Sequence, residues 1–145
     1  MNTVETVVSF EAAHRLYDVA TYSEECRDNI HGHSYKVKVV VGRKDLNDAG
    51  MVIDFKLLKN IIRSEIEQKY DHSCILRKID PLADPIQSNC KKVVLVDNNP
   101  TAEWMAEEFF RCINTQLTYK DMNLQVISVS VQETENNIAT YLAKE

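Results

Sequence analysis

One short stretch constrains the fold more than any other. From Ser34 to Val41, Tyr35, Val37, Val39 and Val41 fall on one parity, while Ser34, Lys36 and Lys38 fall on the other. Extended chain turns successive side chains to opposite faces. The stretch is therefore a strand with one apolar face and one largely polar face, which belongs in a sheet covered on one side only. The rest of the chain has to supply further strands and the cover.

Three more segments read as strands. Thr3 to Phe10 is β-branched and bounded by polar residues; Leu124–Glu133 and Ile138–Leu142 are joined by a turn at Thr134–Asn137. Tyr17 to Asn29 lacks periodicity and reads as a surface loop. Two helices supply the cover. Asp54 can cap one whose stripe is Phe55, Leu58, Ile62 and Ile66, widened by Leu57 and Ile61 and ending near Tyr70. Asn99-Pro100 reads as a cap and first helical residue of the other, which runs to about Asn114 and buries Trp104, Phe109 (or Met105) and Cys112. Ser73 to Lys92, with Pro81 and Pro85, reads as an irregular loop, and Val93–Val96 as a short strand candidate. The expected fold is α+β, in the order ββααββ: a four-stranded antiparallel sheet with two helices packed on one face. At 145 residues one domain, 1–145, is expected. Such a sheet leaves two edges to satisfy, and assembly of subunits is one way to do so.

Composition narrows the function. The 17 basic against 22 acidic residues argue against a nucleic-acid or anionic-membrane partner, which needs clustered Lys and Arg. No apolar run approaches a membrane span, and the opening Met-Asn-Thr-Val-Glu has no leader pattern. The four cysteines, Cys26, Cys74, Cys90 and Cys112, form no CxxC pair, so reduced thiols in a cytoplasmic chain are expected. Three glycines and three prolines are too few for a phosphate-cradling loop.

The histidines are the strongest chemical signal. His31-Gly32-His33 opens the second strand, where residues two apart share a face, so both imidazoles can meet one ion; Gly32 leaves the opposite face bare. His14 lies just past the first strand and comes beside them if the two strands form a hairpin. Three neutral imidazoles with an open fourth position describe catalytic zinc. His72 follows Asp71, and a carboxylate bonded to an imidazole makes a general base. The plain alternative is a helix-end histidine beside a solvated aspartate. Cys26, close to the His pair and to Arg27, reads as a base or nucleophile, as a fourth ligand, or as an idle thiol. Glu133 ends a strand on the parity of Val129 and Val131. Facing a cleft it can accept two N–H bonds from an amidine-like edge such as guanine or a pterin shows; exposed, it is an ordinary surface acid.

Taken together, Phe-x-Ala-Ala-His, Cys…His-Gly-His-Ser-Tyr, Val52-Ile53-Asp54-Phe55, Asp71-His72, Pro100-Thr101-Ala102-Glu103 and Val131-Gln132-Glu133-Thr134 resemble the 6-pyruvoyltetrahydropterin and 6-carboxytetrahydropterin synthase family across essentially the whole chain. The resemblance implies that His14, His31 and His33 hold zinc, that Cys26 is the catalytic thiol and Asp71 with His72 its acid–base partner. It further implies that Glu133 anchors the pterin ring, with Thr101 and Glu103 helping to hold it. It implies the tunnelling fold, in which trimers close a barrel, two trimers stack as a homohexamer, and active sites lie between subunits. The implied substrate is 7,8-dihydroneopterin triphosphate. The short Cys26-to-His31 spacing and the Ala-Ala-His-Arg start favour the branch that releases 6-carboxytetrahydropterin, acetaldehyde and triphosphate on the route to 7-deazaguanines such as queuosine. The alternatives are 6-pyruvoyltetrahydropterin synthase, or a non-catalytic pterin- or metal-binding relative. The last is suggested by Ile75-Leu76-Arg77 and Trp104, which replace asparagines common in the family.

Overall fold

A computed structural model describes residues 1–20 and 23–144. Its elements are β1 (Asn2–His14), α1 (Glu24–Asp28), β2 (His31–Arg43), α2 (residues 55–70), β3 (Ser73–Arg77), α3 (Ala83–Asn89), β4 (Val93–Val96), α4 (Ala102–Lys120), β5 (Gln125–Thr134) and β6 (Asn137–Leu142). Residues 21 and 22, within the loop expected at Tyr17–Asn29, lie outside the described residues; the short α1 occupies its second half. No helix among the described residues is long and apolar enough to cross a membrane.

The alternating stretch behaves as its pattern requires. Tyr35, Val37, Val39 and Val41 are fully buried and pack with Val8, Phe10 and Ala12 of β1 and with Val129 and Val131 of β5. Leu58, Ile62 and Ile66 of α2 and Met105, Phe109, Ile113 and Leu117 of α4 close over that same face.

The expected four-stranded antiparallel ββααββ sheet is corrected. Six strands form one mixed sheet, ordered β4-β3-β1-β2-β5-β6. β1 pairs with β3, and β3 with β4, in parallel. The region read as a loop at Ser73–Lys92 holds β3 and α3. β3 escapes pattern reading because Ile75 and Leu76 are both fully buried, so it shows no alternation. Pro85 is no obstacle to α3, since it stands in the first turn, where a backbone N–H has no helical partner to lose.

The helices also correct the reading in detail. Asp54 caps α2 as expected, its Oδ1 accepting from the N–H groups of Lys56 and Leu57 at 2.7 and 3.1 Å. Phe55 and Leu57 are exposed, so the buried stripe is Leu58, Ile62, Ile66 and Tyr70, with Ile61 buried beside it as expected. A spacing of four drifts roughly 40° per step around a 3.6-residue helix. The wider π turn at Arg63–Glu67 removes that drift and keeps the stripe on the sheet. In α4 the cap is Thr101 rather than Asn99, the helix runs on to Lys120, and its buried face is Ala102, Met105, Ala106, Phe109, Ile113 and Leu117. Trp104 and Cys112 are only half-buried. Burying one large apolar side chain is worth about 1.5–3 kcal/mol against about 1 kcal/mol for a cap, so packing decides where these helices lie.

Candidate metal centre and its surroundings

β1 is longer than expected and ends on His14, which lies directly opposite His31 in the antiparallel pairing with β2. His33, two residues on, shares the inward face with both. The three rings stand 4.7, 5.0 and 5.1 Å apart between centroids and nearly edge-on to one another. One ligand nitrogen from each lies within 4.8 Å of the others, a group that could hold a metal ion.

Their hydrogen bonds decide which nitrogens face inward. A carbonyl oxygen only accepts. His14 Nδ1 therefore donates to the Pro100 carbonyl at 2.7 Å, and His31 Nδ1 to the Asn29 carbonyl at 2.9 Å. In each neutral ring Nε2 is left with a bare lone pair, and these two nitrogens point at one another across 3.1 Å. His33 Nε2 is buried with no hydrogen-bond partner. Burial pushes the His33 imidazole below its ordinary pKa, which favours its uncharged, electron-donating form. Glu133 joins them. A bulge between Gln132 and Thr134 ends the regular pairing of β5, and Oε1 of Glu133 comes within 3.2 Å of His14 Nε2 and 3.3 Å of His33 Nε2. Electron-rich atoms converge here with too few protons to pair them, which is the environment a cation resolves. The Tyr35 hydroxyl, 3.3 Å from His14 Nδ1, closes the inner side, and burial raises its pKa.

Glu133 also lines a groove of about 620 Å³ with Glu103, Ala102, Asn137 and Ile138. Glu103 is exposed at its wall. Thr101 has a structural task, its Oγ1 accepting the Trp104 N–H at 3.1 Å as the cap of α4, directly after the Pro100 carbonyl that orients His14. Cys26 is half-buried in α1 and is not one of the side chains in the imidazole group.

Asp71 and His72 are paired as expected, His72 Nδ1 and Asp71 Oδ2 lying 2.8 Å apart. Their placement is not. Ser73 sits beside Ala12 on the inward face, so His72, one residue earlier, falls beside Glu11 on the outer face. It lines a groove with Glu11, Ala13, Gly32 and Ser34 of the outer face, to which His33 also contributes, and the strand register puts the pair on the face opposite the imidazole side chains. His72 has φ +58°, a conformation that costs a non-glycine residue about 1 kcal/mol or more. Bonds from His72 N to the Glu11 carbonyl (2.7 Å) and from Glu11 N to Asp71 Oδ1 (2.9 Å) hold it there. That backbone bond, and then the His72 contact, keep the Asp71 carboxyl below its usual pKa. At Gly32 an added Cβ would meet only ordinary contact with the Ala12 carbonyl, so what its bareness supplies is room in this groove.

The carbonyls of Asn29 and Pro100 were not foreseen, and no side-chain pattern announces them. Arg15 and Asp80 were also missed. Asp80 is a buried carboxylate, and a lone acid within Ile79-Asp80-Pro81-Leu82 was the available signal.

Comparisons with known proteins identify relatives over nearly the whole chain. The chain matches the family described as 6-pyruvoyl tetrahydropterin synthase over residues 3–144. It is 32% identical over 131 residues to 6-carboxy-5,6,7,8-tetrahydropterin synthase of Rickettsia conorii, covering 89% of this chain and 91% of that one. The Aquifex aeolicus protein of the same description is 31% identical over 150 residues, covering 91% and 92%. Among solved structures, 6-pyruvoyl tetrahydropterin synthase of Caenorhabditis elegans aligns with a TM-score of 0.69 at 26% identity, over 99% of this chain and 96% of that one. An uncharacterized protein from Wolinella succinogenes shares the fold with a TM-score of 0.85 at 22% identity, over 99% and 98%.

Proposed function

This chain belongs to the 6-pyruvoyl tetrahydropterin synthase family, and from that premise we propose that it is a zinc-dependent lyase converting 7,8-dihydroneopterin triphosphate to 6-carboxytetrahydropterin, acetaldehyde and triphosphate. The observation that carries this reading is the imidazole group, with His14 and His31 locked by backbone carbonyls so that both Nε2 lone pairs face the same point. His14, His31 and His33 would hold the ion, and three imidazoles suit zinc far better than magnesium or calcium. What zinc supplies when bound is Lewis acidity, which polarises the substrate's side-chain oxygens and makes protons on the adjacent carbons acidic.

The remaining work falls to the protein. Glu133, an anion beside the groove shared with Glu103, accepts the two N–H bonds of the pterin edge and fixes the ring, while Thr101 caps the helix whose Ala102 and Glu103 line the same groove. Cys26 takes a proton from the substrate side chain. Asp71 fixes the Nδ1 proton of His72, leaving Nε2 free to accept or return a proton. Because His72 and the imidazoles of one chain lie on opposite faces, we infer that each site draws its Asp71–His72 pair from an adjacent copy in a homohexamer built as a dimer of trimers.

The deciding experiment is product identification by mass spectrometry after incubation of the zinc-loaded protein with dihydroneopterin triphosphate. Release of 6-carboxytetrahydropterin with acetaldehyde is expected. The likeness to the nematode enzyme keeps a second reading alive, in which 6-pyruvoyltetrahydropterin is the product. That compound as the main product overturns the first reading in favour of the second.

A further inference from the structure

We propose that Arg15 and Asp80 form a strut whose task is to position the Cys26-bearing helix against the imidazole group. Arg15 directly follows His14 at the end of β1. Its side chain is 12% exposed and that of Asp80 is completely buried. Arg15 Nε donates to Asp80 Oδ2 at 2.7 Å and Nη2 donates to Oδ1, which also accepts the Leu82 N–H at 2.8 Å. This two-pronged grip leaves Nη1 aimed the other way, donating to the Asp28 carbonyl at 3.1 Å. The guanidinium also lies 5.6 Å over the ring of Tyr17.

Asp28 is the last residue of α1, and α1 cannot hold its own place. It is five residues long and buries no side chain, and so short a helix is unstable alone. The end of α1 is tied instead through backbone carbonyls that the helix leaves unpaired. Leu16 N donates to the Cys26 carbonyl at 3.1 Å, Arg15 to that of Asp28, and His31 to that of Asn29. Of these three ties only the one from Arg15 is itself fixed by a buried charge. The connection between β3 and α3 thereby acts on Cys26 from a distance, through a carboxylate that touches neither the thiol nor the imidazoles. Arg15 and Asp80 are positioning residues.

The strut presupposes the catalytic role of Cys26 proposed above only for its effect on turnover; its effect on the thiol is separate. The test is peptide-resolved alkylation of the full-length, metal-loaded protein by iodoacetamide, with exposed Cys90 as internal control. In Asp80→Asn, Cys26 alkylation is expected to rise about threefold or more, because release of the helix exposes a half-buried thiol, with Cys90 unchanged. Arg15→Lys keeps a cation beside Asp80 but lacks the reach to Asp28. It is expected to stay folded, melting above Asp80→Asn, and still show the faster Cys26 reaction, which serves if Asp80→Asn does not fold. With dihydroneopterin triphosphate, both variants should lose about tenfold or more in kcat with KM little changed, the mark of a misplaced group rather than a damaged binding site. Wild-type alkylation of Cys26 in Arg15→Lys overturns the strut. Faster alkylation in variants of a protein that shows no turnover at all supports the strut and overturns the catalytic reading instead.

Discussion

A histidine serves as a ligand only in one tautomer, and for two of the three imidazoles here the backbone sets it. The Pro100 and Asn29 carbonyls each take an Nδ1 proton, so His14 and His31 present Nε2 without any cost of choosing between tautomers on binding. Purified protein is expected to carry close to one zinc per chain by atomic emission, and His33→Ala to weaken zinc about a hundredfold or more, on the order that ligand and supporting-shell losses produce. A metal-free wild type with a measurable activity contradicts the assignment. Cys26→Ala should keep its zinc and lose about a thousandfold or more in kcat; an unchanged kcat identifies a thiol with no part in the reaction. The imidazoles were legible because two of them ride on the strict alternation of β2 and the third on the hairpin that the alternation implies. The carbonyls were not, since every residue offers one and only the folded chain says which is aimed.

The joints between elements carry the next level of information. Thr101 shows how a family motif and a structural task can share one residue, since its hydroxyl caps α4 while the preceding carbonyl orients His14. Thr101→Ala should cost about 1 kcal/mol of stability, and Thr101→Ser should recover it. If the hydroxyl also meets the substrate, Thr101→Ala raises KM beyond what lowered stability explains; an unchanged KM in steady-state assays assigns Thr101 to the cap alone. The Arg15–Asp80 pair ties β1 to the segment leading into α3, and it gives a pH signature. Burial on its own would raise the Asp80 carboxyl, but the Arg15 bond and the Leu82 N–H outweigh it and leave it lowered. The unfolded chain then takes up the proton first, so the pair's contribution is complete above the unfolded value of about 3.9 and is lost as pH falls through the folded value. Urea unfolding of wild type and Asp80→Asn should differ by about 3–5 kcal/mol near neutrality, narrowing below about pH 4. A gap that does not narrow in acid would mean the ionised pair is not its source. Cap and strut illustrate what the sequence could not show. Asn99-Pro100 has the better helix-start composition, yet the tie from His14 draws Pro100 outside the helix and passes the cap to Thr101. β3 stayed hidden because a strand buried beside two parallel neighbours needs no alternation.

At the scale of the whole molecule, the sheet keeps the Asp71–His72 pair and the imidazole group of one chain apart. β1 and β2 carry two sets of candidate side chains back to back: His14, His31 and His33 inward, and Glu11 and Ser34 outward in the groove that His72 also lines. A strand cannot bring its two faces together, whatever its loops do, so the base and the ion of one reaction have to come from different chains if both belong to it. The edges of the sheet, β4 and β6, and an outer face exposing Val7 and Ile138 are where a neighbour could meet this one. Complementation separates the two possibilities. Cys26→Ala and His72→Ala should each be close to inactive. If Cys26 of one subunit works with His72 of another, dissociating the two variants together and reassembling them at equal ratio pairs an intact Cys26 with an intact His72 in roughly a quarter of sites, as chance association in a symmetric oligomer requires. Recovered kcat should therefore approach about a quarter of wild type, read against wild-type protein taken through the same dissociation. A site contained in one chain restores nothing, because every chain in the mixture lacks one of the two groups. Measured recovery at the background of the single variants, with reassembly verified by native mass spectrometry, removes the shared site.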